Sequence, residues 1–232
     1  MFFKRIAIIG SFALTTLTSA VAAADGGALE GRLRGAADRG DAGEVRTLLE
    51  RGAQIDSRDG QGRTALLIAT HGNHVEAARV LIEAGADVNA KDAIQDSPYL
   101  YAGARGYLDI LRMTLAHGAD LRSTNRYRGT ALIPAAERGH VDTVRTLIDA
   151  GVNVDHVNRL GWTALLEAIM LGDGDGDGDG DGGERYVRIV QLLVDGHANV
   201  DLADSNGVTP LQHARQRGYG AIERVLVAAG AR

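Results

Sequence analysis

The sequence repeats itself with a period of 33 residues, and this regularity limits the possible folds more than any other feature. Segments such as GRTALLIATHGNHVEAARVLIEAGADVN and GTALIPAAERGHVDTVRTLIDAGVNVD are versions of one unit. A hydroxyl residue recurs at one place in every unit except the first, with 13 additional residues before the last of them: Thr64, Ser97, Thr130, Thr163 and Thr209. Glycines follow the same period at Gly52, Gly85, Gly118 and Gly151. A fixed period of this length predicts a stack of similar supersecondary units.

Within each unit the pattern predicts a helix, a turn, a second helix and an extended finger. The recurring hydroxyl is expected to cap the first helix by accepting a backbone N–H, and Pro98 and Pro210 follow it where proline is tolerated. Gly106, Gly139 and Gly218 are expected to end that helix in the left-handed conformation, which glycine adopts cheaply. Apolar residues at helical spacing predict the buried face of the second helix: Val75, Ala78, Leu81 and Ile82 in one unit, and Val141, Val144, Leu147 and Ile148 in another.

The segment TPLQHARQRG comes closest to the T-P-L-H-x-A signature, and through it the chain resembles the ankyrin-repeat proteins. The segments GTALIPAAERGH and LGWTALLEA are also similar in sequence to a group of secreted, periplasmic bacterial ankyrin proteins. The resemblance implies an all-α ankyrin-repeat solenoid of about six helix-turn-helix units with β-turn fingers. The approximate units are residues 29–58, 59–91, 92–124, 125–157, 158–203 with a Gly-Asp insertion at 173–185, and 204–232.

The chain departs from the family pattern at two places. Where the family often has histidine after T-P-L, this chain has Leu67, Leu100, Ile133, Leu166 and Gln212, so apolar packing is expected to replace the usual polar ties. The order Gly196–His197 reverses the family's His-Gly pair, which places a histidine in a left-handed position or reshapes the turn.

The amino terminus has the layout of a secretory signal peptide, because MFFKR is basic, an apolar stretch follows, and AAAD provides a small-residue exit. Cleavage after Ala24 is expected, with an uncleaved membrane anchor as the alternative. Removal of Lys4 and Arg5 then changes the formal net charge from -5 to -7. This acidic balance argues against a nucleic-acid partner. The expected product is a periplasmic domain spanning residues 25–232, monomeric and without a membrane span.

The strip GDGDGDGDGDGG admits two interpretations. It fits a calcium-loop pattern through Asp173, Asp175, Asp177, Asp179 and Glu184, and alternating carboxylates provide the oxygen ligands that calcium prefers. Any long Asp-Gly alternation fits that pattern, however, and glycine at every second position makes an ordered loop entropically costly. A disordered low-complexity insertion at residues 173–185, between a helix that ends at Gly172 and one that begins at Tyr186, is therefore favoured over a weak calcium site, and no other cofactor is expected.

The sequence offers little for catalysis. The chain has no cysteine, no G-x-S-x-G segment and no phosphate-binding loop, and its seven histidines are scattered among the units. His71 and His74 are close in sequence but have no evident third metal ligand. The chain is therefore predicted not to be an enzyme.

The resemblance implies that finger tips and the exposed side of the first helices contact a protein partner. The fourth and fifth units stand out because tryptophan, tyrosine and arginine dominate binding hot spots. The predicted partner-binding residues are Arg126, Tyr127, Arg128, Arg159, Leu160, Trp162, Arg105, Glu137, Arg138 and Met170. Trp162, the only tryptophan, has an equally weighted alternative role as a clasp between neighbouring fingers.

The expected function is noncatalytic binding of an unidentified protein in the bacterial periplasm. Inhibition or protection of a periplasmic enzyme are more specific versions of it. A calcium-responsive binding module that uses the Gly-Asp strip is the competing class.

Overall fold

The computed structural model describes residues 15–171 and 183–232 as a series of twelve α-helices with no strand among these residues. The helices are α1 (Thr15–Arg39), α2 (Ala42–Glu50), α3 (Ala65–His71), α4 (Val75–Glu83), α5 (Pro98–Arg105), α6 (Leu108–Ala116), α7 (Leu132–Glu137), α8 (Val141–Asp149), α9 (Ala164–Leu171), α10 (Gly183–Asp195), α11 (Pro210–Arg217) and α12 (Gly220–Ala228).

The helices form six antiparallel hairpins that stack in sequence order. The odd-numbered helices contact one another from α1 to α11 and form one layer. The even-numbered helices form the second layer in the same order. Each unit therefore contacts only its neighbours, as expected of a solenoid.

The core lies between the two layers, and the periodic apolar residues form it. Ala78, Leu81 and Ile82 are buried on α4, and Val144 and Leu147 are buried on α8, as their helical spacing predicts. Apolar packing also replaces the missing signature histidines, because Leu67, Leu100, Ile133 and Leu166 are all buried. Gln212, the fifth residue of that series, is exposed and completes a capping box with Thr209.

Four of the five recurring hydroxyls cap their helices as predicted. Thr64, Ser97, Thr163 and Thr209 each accept a hydrogen bond from the backbone N–H three residues later. The prediction is wrong for Thr130, whose buried hydroxyl has no hydrogen-bond partner. Helix α7 begins only at Leu132, and Pro134 disfavours the helical conformation of Ile133 before it.

The turns between paired helices follow the glycine pattern. Gly106, Gly139 and Gly218 all have positive φ, and so does His197, which confirms the left-handed histidine. A Cβ on Gly106 would come within 2.7 Å of the His140 ring of the next unit. The turn therefore requires glycine for its conformation and for close packing between units.

The second helix of the fifth unit is longer than predicted. It begins at Gly183 instead of Tyr186 and has 13 residues, compared with nine in α8. Its buried residues Ile189, Val190 and Leu193 keep the register of the other second helices. The 13 additional residues therefore leave the core positions unchanged.

Candidate functional site: the finger row and the cavity beneath it

One acidic or amide side chain holds each finger in shape. In the fourth finger, Oδ1 of Asn125 accepts hydrogen bonds from the backbone N–H of Tyr127 at 2.9 Å and of Gly129 at 3.0 Å. The same pair of bonds recurs at the equivalent residues of the other fingers: Asp59, Asp92, Asn158 and Asp204. These residues are not among those predicted from the sequence, although the recurrence of Asp or Asn with the 33-residue period indicates them.

The three central fingers present apolar side chains at one equivalent position. Ile94 and Tyr127 are each 51% exposed and Leu160 is 57% exposed, and we call these three residues the finger row. The outer fingers have Gln61 and Asn206 at this position. Large apolar side chains are thus exposed only on the central fingers within this series, where a binding surface is expected.

The residue that follows the finger-row position is unusual in two of the three central fingers. It has positive φ in each finger, and in the second, fifth and sixth fingers it is glycine: Gly62, Gly161 and Gly207. In the third and fourth fingers it is Gln95, with φ 68°, and Arg128, with φ 61°. The left-handed conformation is unfavourable for residues that have a Cβ, so these side chains are retained against a backbone preference.

A cavity of about 450 Å³ lies beneath the finger row, between the fourth finger and helices α5, α7 and α9. Its wall brings together six of the ten predicted partner-binding residues: Arg105, Arg126, Tyr127, Glu137, Arg138 and Leu160. Leu100, Ile133 and Pro134 provide apolar wall between the charged groups. The concave side of the third to fifth units is therefore a shaped pocket instead of a flat face.

The other four predicted residues lie outside the cavity wall. The backbone N–H of Arg159 donates to the carbonyl oxygen of Tyr127 at 2.9 Å, and its guanidinium donates to that of Arg126 at 2.7 Å. Arg159 thus joins the fourth and fifth fingers. Arg128 is exposed, and Trp162 and Met170 are half-buried.

The arginines of the cavity rim have local partners. Arg126 lies 3.7 Å from Asp96 and packs over the Tyr127 ring at 5.0 Å. Arg138 donates to the carbonyl oxygen of Ala104 at 2.6 Å. The guanidinium of Arg105 lies 5.9 Å from the centre of the Tyr101 ring. These contacts hold the guanidinium groups at the mouth of the cavity.

The cavity also contains a buried carboxyl group, Glu167 on α9, which is only 4% exposed. Its Oε1 accepts a hydrogen bond from Nδ2 of Asn158 at 2.8 Å, whereas its Oε2 is buried without a hydrogen-bond partner. Burial and, to a smaller extent, the negative charge of Glu137 raise the pKa of Glu167 to about 7, although the hydrogen bond from Asn158 lowers it. Glu167 is therefore partly protonated near neutral pH.

Sequence reasoning missed Glu167, although a signal existed. The equivalent position in the three preceding units is occupied by Ile68, Tyr101 and Pro134, so a carboxylate there departs from the pattern. The sixth unit has His213 at this position, and its Nε2 lies 3.0 Å from Oδ2 of Asp204. The last two units therefore each join finger and first helix by a buried polar pair.

Residues 15–171 and 183–232 contain no group of three or more side chains suited to hold a metal ion. Of the predicted calcium ligands, Asp173, Asp175, Asp177 and Asp179 lie outside these residues, and Glu184 is exposed in the first turn of α10. Among the helices that the structure describes, none is long and apolar enough to cross a bilayer.

The predicted signal peptide, residues 1–24, lies largely outside the described residues, which begin within it at Thr15. Its cleavage after Ala24 stays a prediction. The same holds for the calcium site.

Comparison with known proteins agrees with the repeat architecture. The family model for ankyrin repeats (3 copies) matches residues 33–92 and 99–176. The chain is 45% identical over 65 residues to the ankyrin repeat protein YahD of Escherichia coli (strain K12), and this match spans 28% of each protein. The chain therefore spans only about a quarter of that relative's length in the match.

Two solved structures are similar over nearly their whole length. An ankyrin repeat domain (ABAYE2397) from Acinetobacter baumannii AYE is 63% identical, with a TM-score of 0.81 over 87% of this chain and 98% of that one. EF0377, an ankyrin repeat protein, is 42% identical, with a TM-score of 0.77 over 85% of this chain and 97% of that one. From the repeat period, the stacked hairpins and these matches together, the chain belongs to the ankyrin-repeat family.

Proposed function

We propose that the protein is a noncatalytic binding module that captures a protein partner through the finger row and the cavity beneath it. Ankyrin repeats are in general protein–protein interaction modules. The observation that supports this particular surface is the exposure of Ile94, Tyr127 and Leu160 at one equivalent position of three neighbouring fingers.

The chemistry around the finger row is that of a binding hot spot. Tyr127 offers a large, amphipathic surface, and Arg126 packs over its ring. Aromatic and arginine side chains contribute most to protein interfaces because they bury a large area and keep a polar group available. The polar Gln61 and Asn206 of the outer fingers limit the proposed contact to the third, fourth and fifth units.

The retained side chains of Gln95 and Arg128 also support a function at this place. Glycine would relieve the left-handed strain at both positions, as it does in the outer fingers. Strained non-glycine residues are found preferentially at functional sites. Both strained residues lie next to members of the finger row.

The proposed compartment is the bacterial periplasm. The support is the sequence alone: a basic start, an apolar stretch and the small-residue exit before Asp25. An exported partner, such as an envelope enzyme that the module inhibits or protects, fits this location. The location of the protein can be tested by fractionating cells that express the full chain and by measuring which fraction contains it.

The binding function is tested in two steps. The protein is used to capture partners from periplasmic extract, and the affinity for each captured protein is then measured by calorimetry. The double variant Tyr127→Ala/Leu160→Ala is compared with Gln61→Ala/Asn206→Ala, which changes the equivalent outer positions. We expect the first to weaken binding by about ten-fold or more and the second to leave it unchanged. Both variants should keep the native melting temperature because all four residues are at finger tips. Equal binding by the two double variants would refute the proposed surface.

A further inference from the structure

Two carboxyl groups without an ion-pair partner among the described residues line the floor of the cavity beneath the finger row. Glu137 on α7 and Glu167 on α9 both line it, and neither has a cationic partner in the part of the chain that the structure describes. The third acidic group, Asp96, is already compensated by Arg126. The two remaining carboxyl groups are close enough for the charge of one to affect the other.

Glu167 is the unusual member of this pair. The residue lines a cavity that opens to solvent, but its side chain is almost completely buried, and its Oε2 is itself buried and has no hydrogen-bond partner. A buried polar atom without a partner is costly, and buried carboxylates are normally compensated by a cation or by several donors. A donor from outside that reached Oε2 after a rotation of the Glu167 side chain would therefore be stabilised there.

We infer that the cavity accepts a lysine or arginine side chain of the protein partner, whose charged group binds Oε2 of Glu167 and the carboxylate of Glu137. This inference rests on the proposed binding function and specifies the chemistry of its partner. A cationic donor at a carboxylate forms the strong, charge-assisted class of hydrogen bond. It would also relieve the repulsion between the two carboxylates.

The walls of the cavity suit the rest of such a side chain. Leu100, Ile133 and Pro134 supply apolar surface along which an aliphatic stem can pack while its charged end stays polar. The volume of about 450 Å³ lies within the range of roughly 300–1,000 Å³ that is usual for small-ligand pockets. An extended basic side chain can therefore enter without movement of the helices.

The rim selects the residues that flank the basic side chain. Three arginines line the cavity and are exposed at its mouth: Arg105, Arg126 and Arg138. Their positive charges oppose a strongly basic segment but attract carboxylates. The partner segment that fits best therefore has one lysine or arginine between acidic residues.

The test uses short peptides and the full mature chain, residues 25–232. The probes are acetyl-Ala-Glu-Lys-Glu-Ala-amide, the same peptide with arginine, and the same peptide with Nε-acetyllysine, which lacks the charge. Binding is followed by NMR, through the side-chain amide of Asn158 and the backbone amide of Glu167. We expect the lysine peptide, the arginine peptide or both to bind about ten-fold or more tightly than the acetyllysine peptide.

A matched pair of variants assigns the effect to the buried carboxyl group. Glu167→Gln keeps an oxygen to accept the Asn158 hydrogen bond but removes the charge, whereas Glu83→Gln removes an exposed charge on α4. The first should reduce binding of the basic peptides about ten-fold and the second should not. Equal binding of charged and acetylated peptides, or unchanged binding by Glu167→Gln, would overturn the inference.

The two proposals fail separately. If Glu167→Gln does not fold, the comparison of lysine with acetyllysine on the native protein decides alone. If the basic peptides do not bind but Tyr127→Ala/Leu160→Ala still loses the partner, the cavity inference is wrong and the finger-row function stands. If the peptides bind and the finger-row variant retains the partner, the reverse holds.

Discussion

Asn158 connects the fifth finger to helix α9: its Oδ1 holds the finger backbone, and its Nδ2 donates to Oε1 of Glu167 at 2.8 Å. One amide thus shapes the loop that presents Leu160 and also orients a carboxyl group of the cavity. Asp204 and His213 repeat this connection in the sixth unit at 3.0 Å. The finger row and the cavity floor are therefore parts of one hydrogen-bonded structure.

The raised pKa of Glu167 predicts that the fold loses stability as pH increases. An unfolded chain releases this proton near pH 4.5, whereas the folded protein retains it until about pH 7. The unfolded state therefore binds fewer protons in this window, and stability falls as pH rises from about 4.5 to 7. We expect Glu167→Gln to unfold like the native protein at pH 5 and to be more stable at pH 8 by about 2 kcal/mol.

Urea denaturation at both pH values measures this difference, with Glu83→Gln as the control for loss of one negative charge. Comparison of variants is needed because burial also raises the pKa of Asp96 and lowers those of His71 and His140. These groups titrate equally in both proteins. A pH-independent difference between Glu167→Gln and the native protein would contradict the assignment.

Arg128 is expected to lower the free energy of unfolding relative to glycine at the same position. Replacement of Arg128 by Gly removes the unfavourable left-handed conformation at φ 61°, and this gain exceeds the added freedom of the unfolded chain. We expect a net increase of about 0.5–1 kcal/mol in the free energy of unfolding. The matched reverse change is Gly207→Ala, because a Cβ there meets no atom within 4 Å and only the positive φ opposes it. Thermal melting should move in opposite directions for the two variants, and a lower melting temperature for Arg128→Gly would be inconsistent with strain.

The joint between the third and fourth units lacks a hydrogen bond that the other joints have. Oδ1 of Asn89 accepts from the backbone N–H of Asp120 at 2.8 Å, and Asp56, Asp155 and Asp201 make the equivalent bond to the following unit. Arg122 occupies this place in the third unit and cannot accept a hydrogen bond. Arg122→Asn should restore the bond to the N–H of Asn153 and raise stability by about 1 kcal/mol, or roughly 2–4 °C in melting temperature.

Calorimetric melting checks this expectation, and Arg122→Ala separates a new bond from mere loss of arginine. The asparagine variant should be clearly more stable than the alanine variant. Equal melting temperatures would show that the two units lie too far apart for the bond.

The hydroxyl of Thr130 has no hydrogen-bond partner, whereas the hydroxyls at the equivalent positions cap their helices. Thr130→Val should be neutral or stabilising, because valine has a similar shape and removes a buried polar group that has no partner. Thr163→Val removes a real cap, the bond to the N–H of Leu166 at 3.2 Å, and should cost about 1 kcal/mol. Chemical denaturation of both variants compares the same substitution at equivalent positions; a similar loss for each would mean that Thr130 does cap α7 in solution.

Trp162 distinguishes binding from structural support. Its side chain is half-buried and does not line the cavity, and only its backbone is tied to Asn158. We expect Trp162→Ala to weaken capture of the partner and to leave the melting temperature nearly unchanged. A large decrease in melting temperature with normal capture would favour the clasp between fingers.

The repeated part of the architecture could be predicted from sequence because its causes are local. The 33-residue spacing of Thr64, Ser97 and Thr163 reports helix caps, and the spacing of Leu81 and Leu147 reports the buried face. The residues that line the cavity rim could also be predicted from the sequence, because the finger and helix positions follow from the repeat. Six of the ten predicted residues lie together for this reason.

The failures arose where a nearby residue or the tertiary context overrides the repeat pattern. Thr130 resembles the other caps, but Pro134 alters the start of its helix. Helix α10 extends back to Gly183 through Glu184 and Arg185, and of these three residues only glycine has a low helix propensity. Glutamate is usually found at the protein surface, and only the packing of α7 against α9 shows that the carboxyl group of Glu167 is buried.

The Gly-Asp segment that separates α9 from α10 in the sequence has a practical meaning for the use of this protein as a scaffold. Because α9 and α10 keep the packing of the other units, we expect a foreign segment inserted between them to leave the fold intact. A fluorescent reporter or an affinity handle could replace the Gly-Asp tract there and report on partner engagement without obstructing it.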